Sequence, residues 1–193
     1  MKKLSGILLL AMLVCTAAMA DNILTIDVGY LMANFTAESE YFSQNSLALN
    51  FSMFIGDDAL KVFVNGSFGY VLSAENDIGE VDLDLFDSTT SMDFIGGIGG
   101  RFFLSENMLF LVGVGAHLYW GIFSESDWEY DVITAGIGAV ANLVIIVDND
   151  LGVNVGVKAA FDPLTLSQAA FWATYDIESG VIVMPYVGMS IRM

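Results

Sequence analysis

Cysteine, histidine and basic residues are nearly missing from this chain, and each shortage removes a class of chemistry. Of 193 residues, one is cysteine (Cys15), one is histidine (His117) and six are lysine or arginine. Cys15 lies inside an N-terminal leader. Lys2 and Lys3 give the leader a positive start, Ile7 to Val14 form a short apolar core, and Ala18, Met19 and Ala20 make an A-x-A cleavage site before Asp21. The apolar stretch is too short for a stable membrane anchor, so the reading is a secretory signal over 1–20 and one domain over 21–193. A lipidation site would cleave before Cys15 instead, but Val14 stands where such sites want a small residue. Without the leader the chain has no cysteine, which excludes disulfides, thiolate metal sites and cysteine nucleophiles.

Loss of Lys2 and Lys3 with the leader takes the formal charge from −17 to −19, against 23 acidic residues. Such a chain repels nucleic-acid phosphates, so nucleic acid is excluded as a partner. Acidity of this kind signals disorder only where hydrophobicity is low. Here 55% of residues are hydrophobic and the mean hydropathy is +0.65, so the chain must bury apolar surface or place it in lipid. No linker, second domain or low-complexity tract interrupts it.

What is present is period-two alternation. In Ser46 to Ile55, Leu47, Leu49, Phe51, Met53 and Ile55 share one face, and Ser46, Ala48, Asn50 and Ser52 the other. That pattern argues for a strand with two different environments. It predicts eight strands, near 23–36, 46–55, 60–72, 90–104, 108–120, 132–146, 151–161 and 181–193. Each is long enough to cross a bilayer at a tilt, which takes about nine to eleven residues. Val132 to Val147 could be taken for a membrane helix, but Thr134, Gly136, Gly138 and Asn142 fit the inward face of a strand better. The connections alternate. Short ones fall at 56–59, 105–107 and 147–150, and longer ones at 36–45, 73–89, 121–131 and 162–180. Short periplasmic turns and long external loops are the asymmetry of an outer-membrane barrel, and an even strand count leaves both termini in the periplasm.

Composition decides which face meets lipid. One face is small, with Gly29, Ala48, Ser52, Ser67, Gly69, Gly97, Gly99, Gly113, Gly115, Gly138 and Gly156. The other is bulky, with Leu24, Ile26, Val28, Tyr30, Val62, Phe68, Tyr70, Val114, Val155, Val157 and Val187. Eight strands enclose only enough room for side chains, so the small face belongs inside. Asp27, Lys61, Asp93, Arg101, His117, Lys158 and Arg192 share that face. A charge facing hydrocarbon costs several kcal/mol, whereas one facing the lumen can be paired. Strand direction sorts these residues into a periplasmic cluster (Asp27, Lys61, Arg101, Arg192) and an outer one (Asp93, His117, Lys158). Phe54, Phe63 and Phe103 are expected beside the lower cluster, with small residues at mid-height. Tyr119, Trp120, Trp128, Tyr130 and Trp172 lie toward outer strand ends, where aromatic rings favour the interface.

The last strand alternates outward through Val183, Val187, Met189, Ile191 and Met193. With this strand and the whole-chain pattern, the sequence resembles the eight-stranded outer-membrane barrels of the OmpA, OmpX and OmpW type, which commonly end in an aromatic where Met193 stands. The resemblance implies insertion by the barrel-assembly machinery and a role in envelope integrity, adhesion or small-solute passage.

Candidate chemistry is thin. His117 would need a partnered nucleophile, and Ser124, Ser126 and Asp127 beyond the same strand have no spacing that requires one, so no catalytic residue is assigned. The four longer connections carry fifteen acidic residues and no basic one. Asp77, Glu80, Asp82, Asp84 and Asp87 are candidate cation contacts, because clustered carboxylates suit Ca²⁺, but no EF-hand spacing is present and no metal or cofactor is assigned. Three readings follow: a packed-lumen barrel with a structural or surface-interaction role and no turnover, a narrow porin-like channel for small or hydrophobic solutes, or a lipid-modifying envelope enzyme. The expected partners are outer-membrane lipid, with divalent cations or surface partners at the loops.

Overall fold

The structure is a computed structural model, and it describes residues 22–37, 40–56, 60–77, 79–125, 128–168 and 177–192. The expected leader, Ser126, Asp127, Trp172, most of the 164–176 segment and Met193 lie outside the described residues, as do the side chains of Trp128 and Tyr130.

Among the described residues the chain forms eight long strands: β1 (Ile23–Ala37), β2 (Glu40–Ile55), β3 (Leu60–Asn76), β4 (Ser88–Ser105), β5 (Met108–Glu125), β6 (Trp128–Asp148), β7 (Leu151–Gln168) and β8 (Ser179–Arg192). Each pairs antiparallel with its sequence neighbour, and β1 pairs with β8 to close the barrel. Closure leaves no sheet edge, the condition for a sheet to sit in hydrocarbon. Asp27 marks the seam, opposite Asn50 on β2 and Gly188 on β8. Among the described residues no helix is long and apolar enough to cross a membrane, and the apolar run at 132–147 is strand.

Burial follows the pleat. On β1, Thr25, Asp27, Gly29, Leu31, Ala33 and Phe35 are buried, while Ile26, Val28 and Tyr30 are exposed. The same inversion runs round the barrel: Val62, Phe68, Ile98, Val114, Ile137, Val155 and Val187 face outward, whereas Asp27, Lys61, Asp93, His117 and Lys158 are buried. Apolar side chains outside and ionisable ones inside are the arrangement of a barrel whose solvent is lipid.

The strands run further than the sequence suggested. They span 14 to 21 residues, with β2 starting at Glu40, β5 reaching Glu125 and β7 reaching Gln168. The surplus lies at the outer ends, where inward Phe35, Phe42 and Phe123 continue to pack above the membrane-crossing length. Segment 79–87 does not stay in register with the wall. Gly79, at φ +139°, starts a two-residue pairing with Glu75 and Asn76, and a 3-10 turn follows at Leu83–Leu85.

Candidate functional site: the lumen

The lumen is filled in three layers. At the periplasmic end, Ile23, Phe54, Phe63, Leu109, Leu111 and Val144 form an apolar plug, with the Phe54 and Phe63 rings stacked at 5.6 Å. The inward glycines make room for it. A Cβ on Gly113 would lie 2.7 Å from the Phe63 ring, and one on Gly99 2.9 Å from that of Phe54. The glycine face is therefore not open space, because it receives the large inward side chains of strands across the barrel. A cavity of about 20 Å³ beside Ile23, Leu109 and Gly152 has room for about one water.

The middle layer is polar and buried. Lys158 Nζ donates to Asp93 Oδ1 at 2.5 Å, to Ser67 Oγ at 3.2 Å and to Asn50 Oδ1 at 3.3 Å. Both ion-pair side chains are wholly buried. Ser67 donates to the second Asp93 oxygen at 3.0 Å. Asp27 accepts from Asn154 at 2.7 Å, Thr25 at 2.8 Å and Asn50 at 3.2 Å. Asn65 Nδ2 extends the network to Asn50 and Ser52, and Tyr186 donates to Asn142 at 2.6 Å. These bonds tie β1, β2, β3, β4 and β7 across the lumen, and β8 to β6. In a low-dielectric interior a charge is tolerated only when paired and hydrogen-bonded in this way.

The outer layer is aromatic. Phe35 stacks on Phe42 at 6.0 Å and leans on Tyr119 at 5.3 Å. Phe123 meets Phe42 and Phe86 edge-on. Phe86 and Val81 bring segment 79–87 over this cluster. Backbone bonds from Val81 N to Ala74 O (2.9 Å) and from Asp87 N to Ser124 O (2.7 Å) pin its ends.

Several expectations are corrected by this geometry. The two charge clusters divide differently. Lys158 joins Asp93, but His117 Nδ1 meets Asp162 Oδ1 at 2.8 Å, and Thr134 holds the other Asp162 oxygen at 2.6 Å. The alternation pattern places Asp162 in the outer connection at 162–180. It is buried because β7 continues through Pro163 past an irregularity in its register with β6. The lower group does not assemble round Asp27. Arg192 sits opposite Ile23, four residues below Asp27 on β1, and is exposed. Lys61 is buried and donates to the Gly56 carbonyl. Arg101 lies over the Phe103 ring at 5.1 Å. Phe103 keeps the inward parity of Arg101 and pairs with buried Leu109, but it is exposed because β4 is nearing its turn into β5 there. Tyr119 belongs to the lumen and not the interface, since it shares the inward parity of His117. The mid-height layer, expected to be small, is held by Asn50, Asn65, Asn142 and Asn154, all buried. Asparagine on an inward face was the available signal, but it belongs to no motif.

Asp77, Glu80, Asp82, Asp84 and Asp87 are all exposed. Asp77 accepts from the Tyr41 backbone and Asp82 caps the 3-10 turn through the Asp84 amide. Among the described residues no three carboxylates or histidines come together closely enough to hold a metal ion.

No family model matches the chain, and no curated protein sequence does. Solved structures do. Neisserial surface protein A superposes with a TM-score of 0.64 at 8% identity, covering 89% of this chain and 97% of that one. The attachment invasion locus protein Ail of Yersinia pestis gives 0.52 at 12% identity, covering 91% and 100%. The outer membrane protein OprG of Pseudomonas aeruginosa gives 0.50 at 9% identity, covering 90% and 96%. The chain has the closed, eight-stranded antiparallel fold of the outer-membrane barrels.

Proposed function

We propose that this protein is an integral outer-membrane barrel with a sealed lumen, acting as a structural or cell-surface interaction element without turnover. The observation that carries the reading is the Lys158–Asp93 pair, wholly buried at mid-height between two apolar plugs. A conducting pore needs a continuous polar path, and the apolar clusters on either side of the pair argue against one. On this reading residues 1–20 are removed on export, the barrel-assembly machinery inserts the chain, and the outward belt contacts lipid. The exposed carboxylates of 77–87 repel lipid phosphates unless divalent cations bridge them. His117 hydrogen-bonds Asp162 inside the wall, a structural role.

Liposome swelling tests this reading. Vesicles containing the folded protein should swell in small sugars or amino acids no faster than empty vesicles. Size-dependent swelling would favour the narrow-channel reading.

A further inference from the structure

The outward face changes character toward the outer end, and it does so unevenly. On β1, β2 and β3 the apolar belt reaches Met32, Leu47 and Leu72, of which Leu47 and Leu72 are exposed. Above it the outward side chains are Asn34, Thr36, Tyr41, Ser43, Asn45 and Ser73. On β5 to β7 apolar character continues instead, through Trp120, Ile133, Leu164 and Leu166. A bulge makes the change on β3. Asn45 pairs with Ser73 and Ser46 with Val71, so Leu72 is the extra residue and the parity of β3 inverts above it. Ala74 then turns inward while Ser73 and Glu75 turn out. Bulges characteristically re-aim side chains in this way.

The face is pre-ordered. Asn45 Nδ2 donates to Ser73 Oγ at 3.1 Å, and Thr36 and Ser179 share a hydroxyl bond of 2.8 Å. Tyr41 OH donates to Glu75 at 3.0 Å, which holds the phenol above its ordinary pKa and occupies the carboxylate. No lysine or arginine lies in 34–45 or 73–76.

We propose that this face binds the uncharged sugar headgroup of an outer-leaflet glycolipid whose acyl chains lie on the belt beneath it. A molecule that contacts both surfaces must be an amphiphile. Amides and hydroxyls offer donors and acceptors together, as sugar hydroxyls require, and the exposed Tyr41 ring adds a flat apolar surface. Phosphate finds no cation here and meets net negative charge. The inference rests on the outer-membrane reading but holds whether or not the lumen conducts.

The test is native mass spectrometry of the folded mature chain released from nanodiscs. These would contain equal parts of digalactosyl diacylglycerol, phosphatidylethanolamine and phosphatidylglycerol, with and without chelator. Retention of the galactolipid should exceed that of phosphatidylglycerol about fivefold or more, unchanged by chelator. Asn34→Leu/Ser43→Val should abolish the preference while heat-modifiable gel mobility stays intact. If that variant misfolds, Asn45→Ala and Tyr41→Phe should each reduce the preference. Free digalactose at matched concentration should not displace the lipid. Equal retention of the two lipids, loss with chelator, unchanged preference in the variants, or displacement by free sugar would each overturn the proposal. A failure of the outer-membrane reading would differ, since no lipid would then be retained.

Discussion

Replacing Lys158 by methionine isolates the element on which the proposed closure of the lumen depends. The substitution keeps chain length but removes the ammonium that donates to Asp93, Ser67 and Asn50. Asn50 Oδ1 keeps its bond from Asn65, and Asp93 keeps only the Ser67 hydroxyl at 3.0 Å. A wholly buried carboxylate would then stand uncompensated, which costs about 3–5 kcal/mol. With a urea slope of about 2 kcal/mol per molar, the unfolding midpoint in lipid vesicles should fall by about 2 M, read by tryptophan fluorescence and gel mobility. Adding Asp93→Asn removes the orphaned charge and should recover about 1–3 kcal/mol of the loss. A midpoint shift below about 0.5 M would match an exposed ion pair and refute the buried assignment. So would further destabilisation on adding Asp93→Asn.

Other outcomes follow from the same geometry. Val155→Arg places a cation on the lipid face of β7 and should cost about 2–4 kcal/mol, whereas Asn34→Arg above the belt should cost about 0–1 kcal/mol, both measured by urea titration in vesicles. Gly113→Ala drives a methyl into the Phe63 ring and should cost about 1–3 kcal/mol. Gly66→Ala, whose added carbon meets nothing closer than 3.7 Å, should be neutral or stabilise by about 0.5 kcal/mol. Glu75→Gln removes the carboxylate that the Tyr41 phenol donates to, so the Tyr41 pKa should fall toward its ordinary value in a ¹³C-tyrosine NMR titration.

The wall of this barrel was legible in the sequence because its cause is local. Outward residues such as Ile26, Val28, Tyr30, Val155 and Val157 alternate with inward ones for as long as the pleat lasts, and a charge in the outward set would be expelled. Lumen contacts are not local. Lys158 reaches Asp93 across 65 positions and Asn154 reaches Asp27 across 127. Parity places such residues inside, but which ones meet depends on barrel stagger, which no single strand encodes. Two misplacements occur near strand ends. Phe103 has inward parity but is exposed close to the β4–β5 turn, and Asp162 precedes Pro163, which cannot donate to a ladder and so reads as a strand end. The glycine face misled in another way. Its small residues imply space locally, while the rings that fill that space come from other strands, Phe63 for Gly113 and Tyr186 for Gly156.

The most direct test of the sealed lumen is the current through a planar bilayer containing the purified, heat-modifiable protein. With the polar layer closed by Lys158 and Asp93 and capped by aromatic and aliphatic plugs, the membrane should show no current above that of bare lipid at moderate voltage. Steady unitary steps that scale with salt concentration would contradict the account.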